Sequence, residues 1–123
     1  MRKMKLTIGT VVLEVQLKDN LTADALFKAA PFESTANTWG DEVYFSTPAQ
    51  VAVADDARTV MEPGEIAFWP PGNAIAIGFG PTPVSRGKEI RLASPANVWA
   101  TATGDVKQLK SVRAGSKIKV EVA

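Results

Sequence analysis

The sequence contains no cysteine and no histidine. The first absence excludes disulfides and thiol nucleophiles. The second excludes imidazole acid–base chemistry, and together they remove the usual zinc ligands. Neither sign of charge is in excess: 14 Lys and Arg stand against 13 Asp and Glu, a net charge of +1. That balance gives no field that would draw nucleic acid or anionic lipid. Long hydrophobic runs are missing too. The N-terminal MRKMKLTIGTVV carries positive charge but then alternates polar and apolar residues, unlike a signal peptide or a membrane span. The expectation is a cytoplasmic protein with no nucleic-acid or membrane partner, no metal and no cofactor.

What remains is ordinary in bulk: 123 residues, 46% hydrophobic and 22% charged, which fits one globular domain over residues 1–123. Met4, Leu6 and Ile8 alternate with polar neighbours, and Val11, Leu13, Val15 and Leu17 repeat the pattern. Gly9-Thr10 between them suits a two-residue hairpin turn with positive φ at its first position. Asn20 or Thr22 can cap a short helix carrying Ala23, Leu26, Phe27 and Ala30 on one face, ended by Pro31. Residues 32–39 read as a weaker strand, and Val43 and Phe45 mark another. Val51 and Val53 suggest a short strand in an otherwise irregular stretch.

Ile66–Trp69 and Ala74–Phe79 form a second hairpin across Pro70-Pro71-Gly72-Asn73, where Gly72 or Asn73 supplies positive φ. Its second arm is bulky on one face (Ile75, Ile77, Phe79) and nearly bare on the other (Ala74, Ala76, Gly78), so a helix, a neighbouring subunit or a ligand can approach closely. Residues 81–95, with three prolines, read as a loop. Val98, Ala100 and Ala102 alternate in the next strand, Asp105 caps a short helix to Val112, and Ile118, Val120 and Val122 alternate in the last strand. About eight short amphipathic strands with one or two capping helices favour a mainly β barrel, because closure removes exposed edges.

The segments NLTADAL, PFESTANTWGDEVYF, PGEIAFWPPGNAIAIGFGPTP and EIRLASPANVWATATGD resemble a family of small prokaryotic proteins with a closed cyclophilin-like barrel, largely of unknown function. True cyclophilins are peptidyl-prolyl isomerases with a Phe-His-Arg strand, a Phe five residues after the Arg, and a Gln three further on. On that spacing Phe32-Glu33-Ser34 matches the strand, Trp39 the Phe and Glu42 the Gln. Ser34 thus stands where the resemblance puts the catalytic arginine. That arginine helps the prolyl amide twist against a resonance barrier of roughly 18–20 kcal/mol, and a neutral hydroxyl is a weaker donor. The resemblance also implies that the proline-bounded hairpin lies near the peptide-holding face, and that related barrels occur as parts of larger enzymes.

The residues that carry chemistry are few. If the aliphatic faces fill the barrel, Trp39, Tyr44, Trp69 and Trp99 point outward, with Glu42 on the Tyr44 face. Aromatics around a carboxylate make a recognition surface; the plainer alternative is a covered satellite core. Glu42, if buried beside Trp39, has a raised pKa and can donate a proton or bind a cation; otherwise it is solvated or paired with Arg91. Asp55-Asp56 lacks spaced partners for a metal. Lys107, Lys110, Arg113, Lys117 and Lys119 read as a solvated face. The candidate ligand-binding set is therefore Trp39, Glu42, Tyr44, Trp69, Asn73 and Phe79, with Ser34 and Glu42 as the catalytic candidates. The expected function is a module that binds a peptide segment or small ligand with little or no isomerase activity. The alternatives are a peptidyl-prolyl isomerase and a homo-oligomerising, subunit-like domain.

Overall fold

Alternation decides the first two strands. β1 (Lys3–Ile8) buries Met4, Leu6 and Ile8, and β2 (Val11–Leu17) buries its odd-numbered residues in antiparallel register, Leu6 opposite Leu13. Gly9, at φ +61°, opens the turn between them, a conformation that strains any side chain. The structure, a computed structural model, describes residues 2–123. α1 (Leu21–Ala29) is capped by Asn20, whose side chain accepts from the Ala23 N–H at 2.9 Å. It turns Ala23 and Leu26 into the same core as the first hairpin. Arg2 holds it from outside, paired with Asp24 at 2.8 Å and lying 5.3 Å over the Phe27 ring.

The remaining strands are β3 (Phe32–Thr35), β4 (Asn37–Thr38), β5 (Glu42–Ser46), β6 (Arg58–Met61), β7 (Glu65–Trp69), β8 (Ala74–Gly78), β9 (Ile90–Ala102) and β10 (Lys117–Val122). The sheet runs β3-β10-β1-β2-β9-β7-β8-β5-β4, with β6 paired to β9. Only Ala36 separates β3 from β4, so the two ends of that order are one continuous segment and the antiparallel sheet nearly closes on itself. Ser34 Oγ donates to the Ser46 carbonyl across the seam at 2.8 Å. A short 3-10 turn, Val106–Ser111, capped by Asp105, adds Val106 and Leu109 to the interior. No helix among the described residues is long and apolar enough to cross a membrane.

The fold is mainly β, as its alternation implies, but the described residues form ten strands rather than about eight, nine along the barrel order and β6 outside it. Val51 and Val53 lie in an irregular segment and form no strand. Asn97 supplies the hydrogen bonds a partner strand would: it accepts from the Ala54 N–H at 2.8 Å and donates to the Ala52 carbonyl at 2.9 Å and to Thr22 Oγ1 at 3.1 Å. The expected loop over 81–95 ends early, since β9 starts at Ile90 and passes through Pro95. Proline is tolerated there because the β6 pairing jumps from Val60–Arg91 to Arg58–Ala96, which leaves residues 92–95 in a bulge.

A second bulge corrects the placement of Trp99. β7 pairs Ile66 with Ala100 and Ala67 with Val98, so Trp99 has no partner across the ladder. Trp99 and Ala100 both face the barrel interior, while Val98 packs outside it. Outside the barrel, Met61, Ala67, Ala76, Ile90, Leu92 and Ala96 form a second apolar cluster, with Tyr44, Trp69 and Val98 against it. β6 and the first half of β9 thus make a ribbon packed on the outer face of β5, β8 and β7. The bare face of β8 is what receives it: a Cβ on Gly78 would overlap Ile90 Cγ2.

Gly78→Ala should therefore cost about 1–3 kcal/mol through overpacking. In the Gly78→Ala, Ile90→Ala double variant, the loss should fall short of the sum of the single losses by about 1 kcal/mol, read from urea midpoints. Additive losses would mean that the two residues are not in contact.

Candidate functional site

The site begins at a tight turn. Trp39 and Glu42 face each other across the β4–β5 hairpin, where the Trp39 N–H donates to the Glu42 carbonyl at 3.0 Å and Gly40, at φ +60°, opens the loop. The following segment clamps this turn. Asp41 N–H donates to the Pro81 carbonyl at 3.0 Å, and Phe79 N–H to the Asp41 carbonyl at 2.8 Å. Opposed hairpin residues share a face, as do residues two apart on a strand. Trp39, Glu42 and Tyr44 are therefore delivered to the outer side of the barrel together.

There they line a cleft of about 180 Å³ between the sheet and the outer ribbon. Ala74 and Ala76 form its floor, in register with Trp69 and Tyr44 respectively. Leu92 and Ala93 of the ribbon form the opposite wall. Trp69 is fixed twice: its Nε1–H donates to Ser94 Oγ at 2.7 Å, and its ring lies so close over Gly72 that a Cβ there would come within 2.8 Å of Cζ3. Trp39, Tyr44 and Trp69 are half-buried, so aromatic surface remains open at the cleft.

Glu42 is different in kind. It is 6% exposed, and its Oε1 is buried without a hydrogen-bond partner. The cleft contributes no Lys or Arg. Burial without a compensating charge pushes the Glu42 carboxyl from its ordinary 4.5 up to about 7. Near neutral pH this group therefore exchanges between acid and carboxylate. Arg91, the partner the sequence offers, is instead paired with Glu89. Arg58 is likewise paired with Glu65 and does not line the cleft.

Of the sequence candidates, the structure brings Trp39, Glu42, Tyr44 and Trp69 into one cleft. Asn73 does not line it. At φ +47° it ends the Pro70–Gly72 turn, and its carbonyl accepts from Thr47 N–H at 2.9 Å and Thr47 Oγ1 at 3.0 Å. Phe79 packs against the barrel core. Ser34 lies on the seam, with its hydroxyl proton committed to Ser46. Trp99 is inside the barrel, where its Nε1 is also without a partner. Asp55 and Asp56 sit in an exposed turn, and no group of three or more acidic residues among the described residues is placed to hold a metal ion. Leu92 and Ala93 were hidden in the segment read as a loop. The alternation of Ile90 and Leu92 with Arg91 and Ala93 is the signal that marks them.

The sequence profile of the cyclophilin-like family matches residues 2–121. The chain belongs to the cyclophilin-like family. A hypothetical protein from Archaeoglobus fulgidus, whose structure was determined in solution, is 37% identical, with a TM-score of 0.85 over 99% of this chain and 95% of that one. McbB, in a structure with bound tryptophan, shares the fold at 15% identity and a TM-score of 0.67; the match covers 96% of this chain and 44% of McbB. No curated protein matches the chain significantly.

The raised Glu42 pKa has a signed consequence for this cyclophilin-like barrel. The folded state holds a proton that the unfolded chain releases above 4.5, so stability falls as pH rises from about 4.5 to about 7 and then levels off. The loss amounts to about 3 kcal/mol. Glu42→Gln, neutral at every pH, should abolish most of that decline and be the more stable protein at pH 8. Parallel pH–stability curves for the two proteins would contradict it.

Proposed function

We propose that the protein is a binding module that seats one apolar or aromatic group of a peptide segment or small ligand in the cleft among Trp39, Tyr44 and Trp69, with Glu42 meeting a polar atom of that group. The observation that carries this reading is the pairing of half-open aromatic surface with a buried carboxyl oxygen that none of the described residues satisfies. A buried polar atom without a partner costs roughly 1–3 kcal/mol, more when it is charged. A ligand donor would recover that loss on binding. The cleft is smaller than the roughly 300–1,000 Å³ typical of drug-sized ligands, which suits a single side-chain-sized group.

The isomerase alternative has less support. It needs a donor aimed at a prolyl nitrogen beside Trp39 and Glu42. Ser34 instead spends its hydroxyl on the Ser46 carbonyl and does not line the cleft. Arg58 and Arg91 are held by acidic neighbours away from it.

Titrating nitrogen-15-labelled protein with an Ala-Pro peptide and with side-chain-sized aromatic compounds tests both readings. The expected result is shifts at the Trp39 and Trp69 indole N–H and the Glu42 and Tyr44 amides, with no catalysed exchange between the cis and trans peptide signals. Trp39→Ala should weaken binding by about tenfold or more. Catalysed exchange would restore the isomerase. Shifts confined to surfaces away from the cleft would remove the proposed site.

A further inference from the structure

Resting on that binding reading, we infer that the cleft's ligand is a small alkylated ammonium compound of about choline's size, its methyl groups against Trp39, Tyr44 and Trp69 and its charge facing Glu42. Three of the eight lining residues are aromatic, and the electron-rich faces of Trp and Tyr attract cations most strongly when water is excluded. The one acidic group in the cleft is nine-tenths buried and has an oxygen without a partner. A carboxylate in that position lacks only a positive charge, and the cleft supplies none.

The rest of the lining discriminates among cations. A primary ammonium brings three donors and needs three acceptors. Beyond Glu42 and the Tyr44 hydroxyl, the walls are indole, alanine and leucine. The Ser94 hydroxyl beside the cleft already accepts from Trp69. Calcium and magnesium take six or more oxygen ligands and zinc takes four ligands, whereas the cleft's side chains offer only the Glu42 carboxyl and the Tyr44 hydroxyl. A methylated ammonium has little or nothing to donate and presents apolar methyl groups, which match Ala74, Ala76 and Leu92 as well as the rings. A charge spread over methyl groups is also easier to strip of water than a compact ammonium.

The groups that face Glu42 set the pH behaviour. Tyr44 shares its strand face, Asp41 lies in the adjoining turn, and β8 and the 79–83 segment present no titratable side chain. On β9, Arg91 is occupied by Glu89. Binding of a cation therefore draws Glu42 into its ionised form and releases a proton when the free protein holds one. Affinity should rise about tenfold between pH 6 and pH 8 and flatten above.

Choline chloride and its uncharged isostere 3,3-dimethylbutan-1-ol, titrated at constant ionic strength and read by the Trp39 and Trp69 indole signals, decide the matter. Choline should bind at least about tenfold more tightly than the alcohol at pH 8. Choline affinity should also climb with pH, and Glu42→Gln should remove the pH dependence and shrink the preference to what the three aromatic faces supply. Trp39→Leu, at the half-buried rim, should weaken choline several-fold with the carboxyl intact, which guards against an uninformative Glu42 variant. Equal binding of the alcohol, or choline affinity that falls as pH rises, would overturn the cation and leave the binding module standing with a neutral ligand. No indole shift with either compound would overturn the cation as well, and the peptide and aromatic titration then judges the binding module separately.

Discussion

The outer ribbon can lie on the barrel only because β8 turns Ala74, Ala76 and Gly78 outward, and the cleft exists only because the ribbon lies there. Gly78 gives its missing side chain's place to Ile90, which brings β9 down on one end of the sheet. Ala76 and Ala74 are small enough to leave a hollow further along, roofed by Leu92 and flanked by Tyr44 and Trp69. Larger residues at these positions would fill the hollow or lift the ribbon. β9 makes this possible by serving two layers, its first half in the ribbon and its second half in the barrel wall, with the bulges at residues 92–95 and at Trp99 absorbing the change of direction.

Glu42 is then placed where a protein of this size can ill afford an acid. A marginal net stability of roughly 5–15 kcal/mol makes a penalty of a few kcal/mol at neutral pH a large fraction of the whole. Nothing in the barrel needs a carboxyl at this position; Gly78, its partner in the ladder, would accept an apolar neighbour equally well. Stability given up at one polar position inside an otherwise apolar cleft accords with the binding role proposed for it.

Much of the architecture was legible in the chain. The Gly9-Thr10 hairpin, the Asn20-capped helix, the proline-bounded hairpin and the final strand all declared themselves through alternation and turn chemistry. What the sequence concealed was the work of bulges and long-range side-chain bonds. Pro95 read as a loop signal because proline normally bars a ladder, yet a bulge excuses it. Trp99 read as outward because strict alternation gives that answer, and one unpaired residue reverses it. Asn97 left no local trace of its bonds to Thr22, Ala52 and Ala54. Trp39, Glu42, Tyr44 and Trp69 were legible as candidates, but only within a set that also held Asn73 and Phe79. Their common cleft was not, because its far wall, Leu92 and Ala93, comes from a segment whose prolines disguised a strand.

The proposed binding at the cleft turns on the state of one carboxyl. Carbon-13 detection of the Glu42 side-chain carboxyl across a pH series measures it without any ligand. A midpoint near 7 in the free protein is what burial without a partner requires. A midpoint near the ordinary 4.5 would mean that Glu42 is solvated or paired, and that the cleft holds no unmet charge for a ligand to answer.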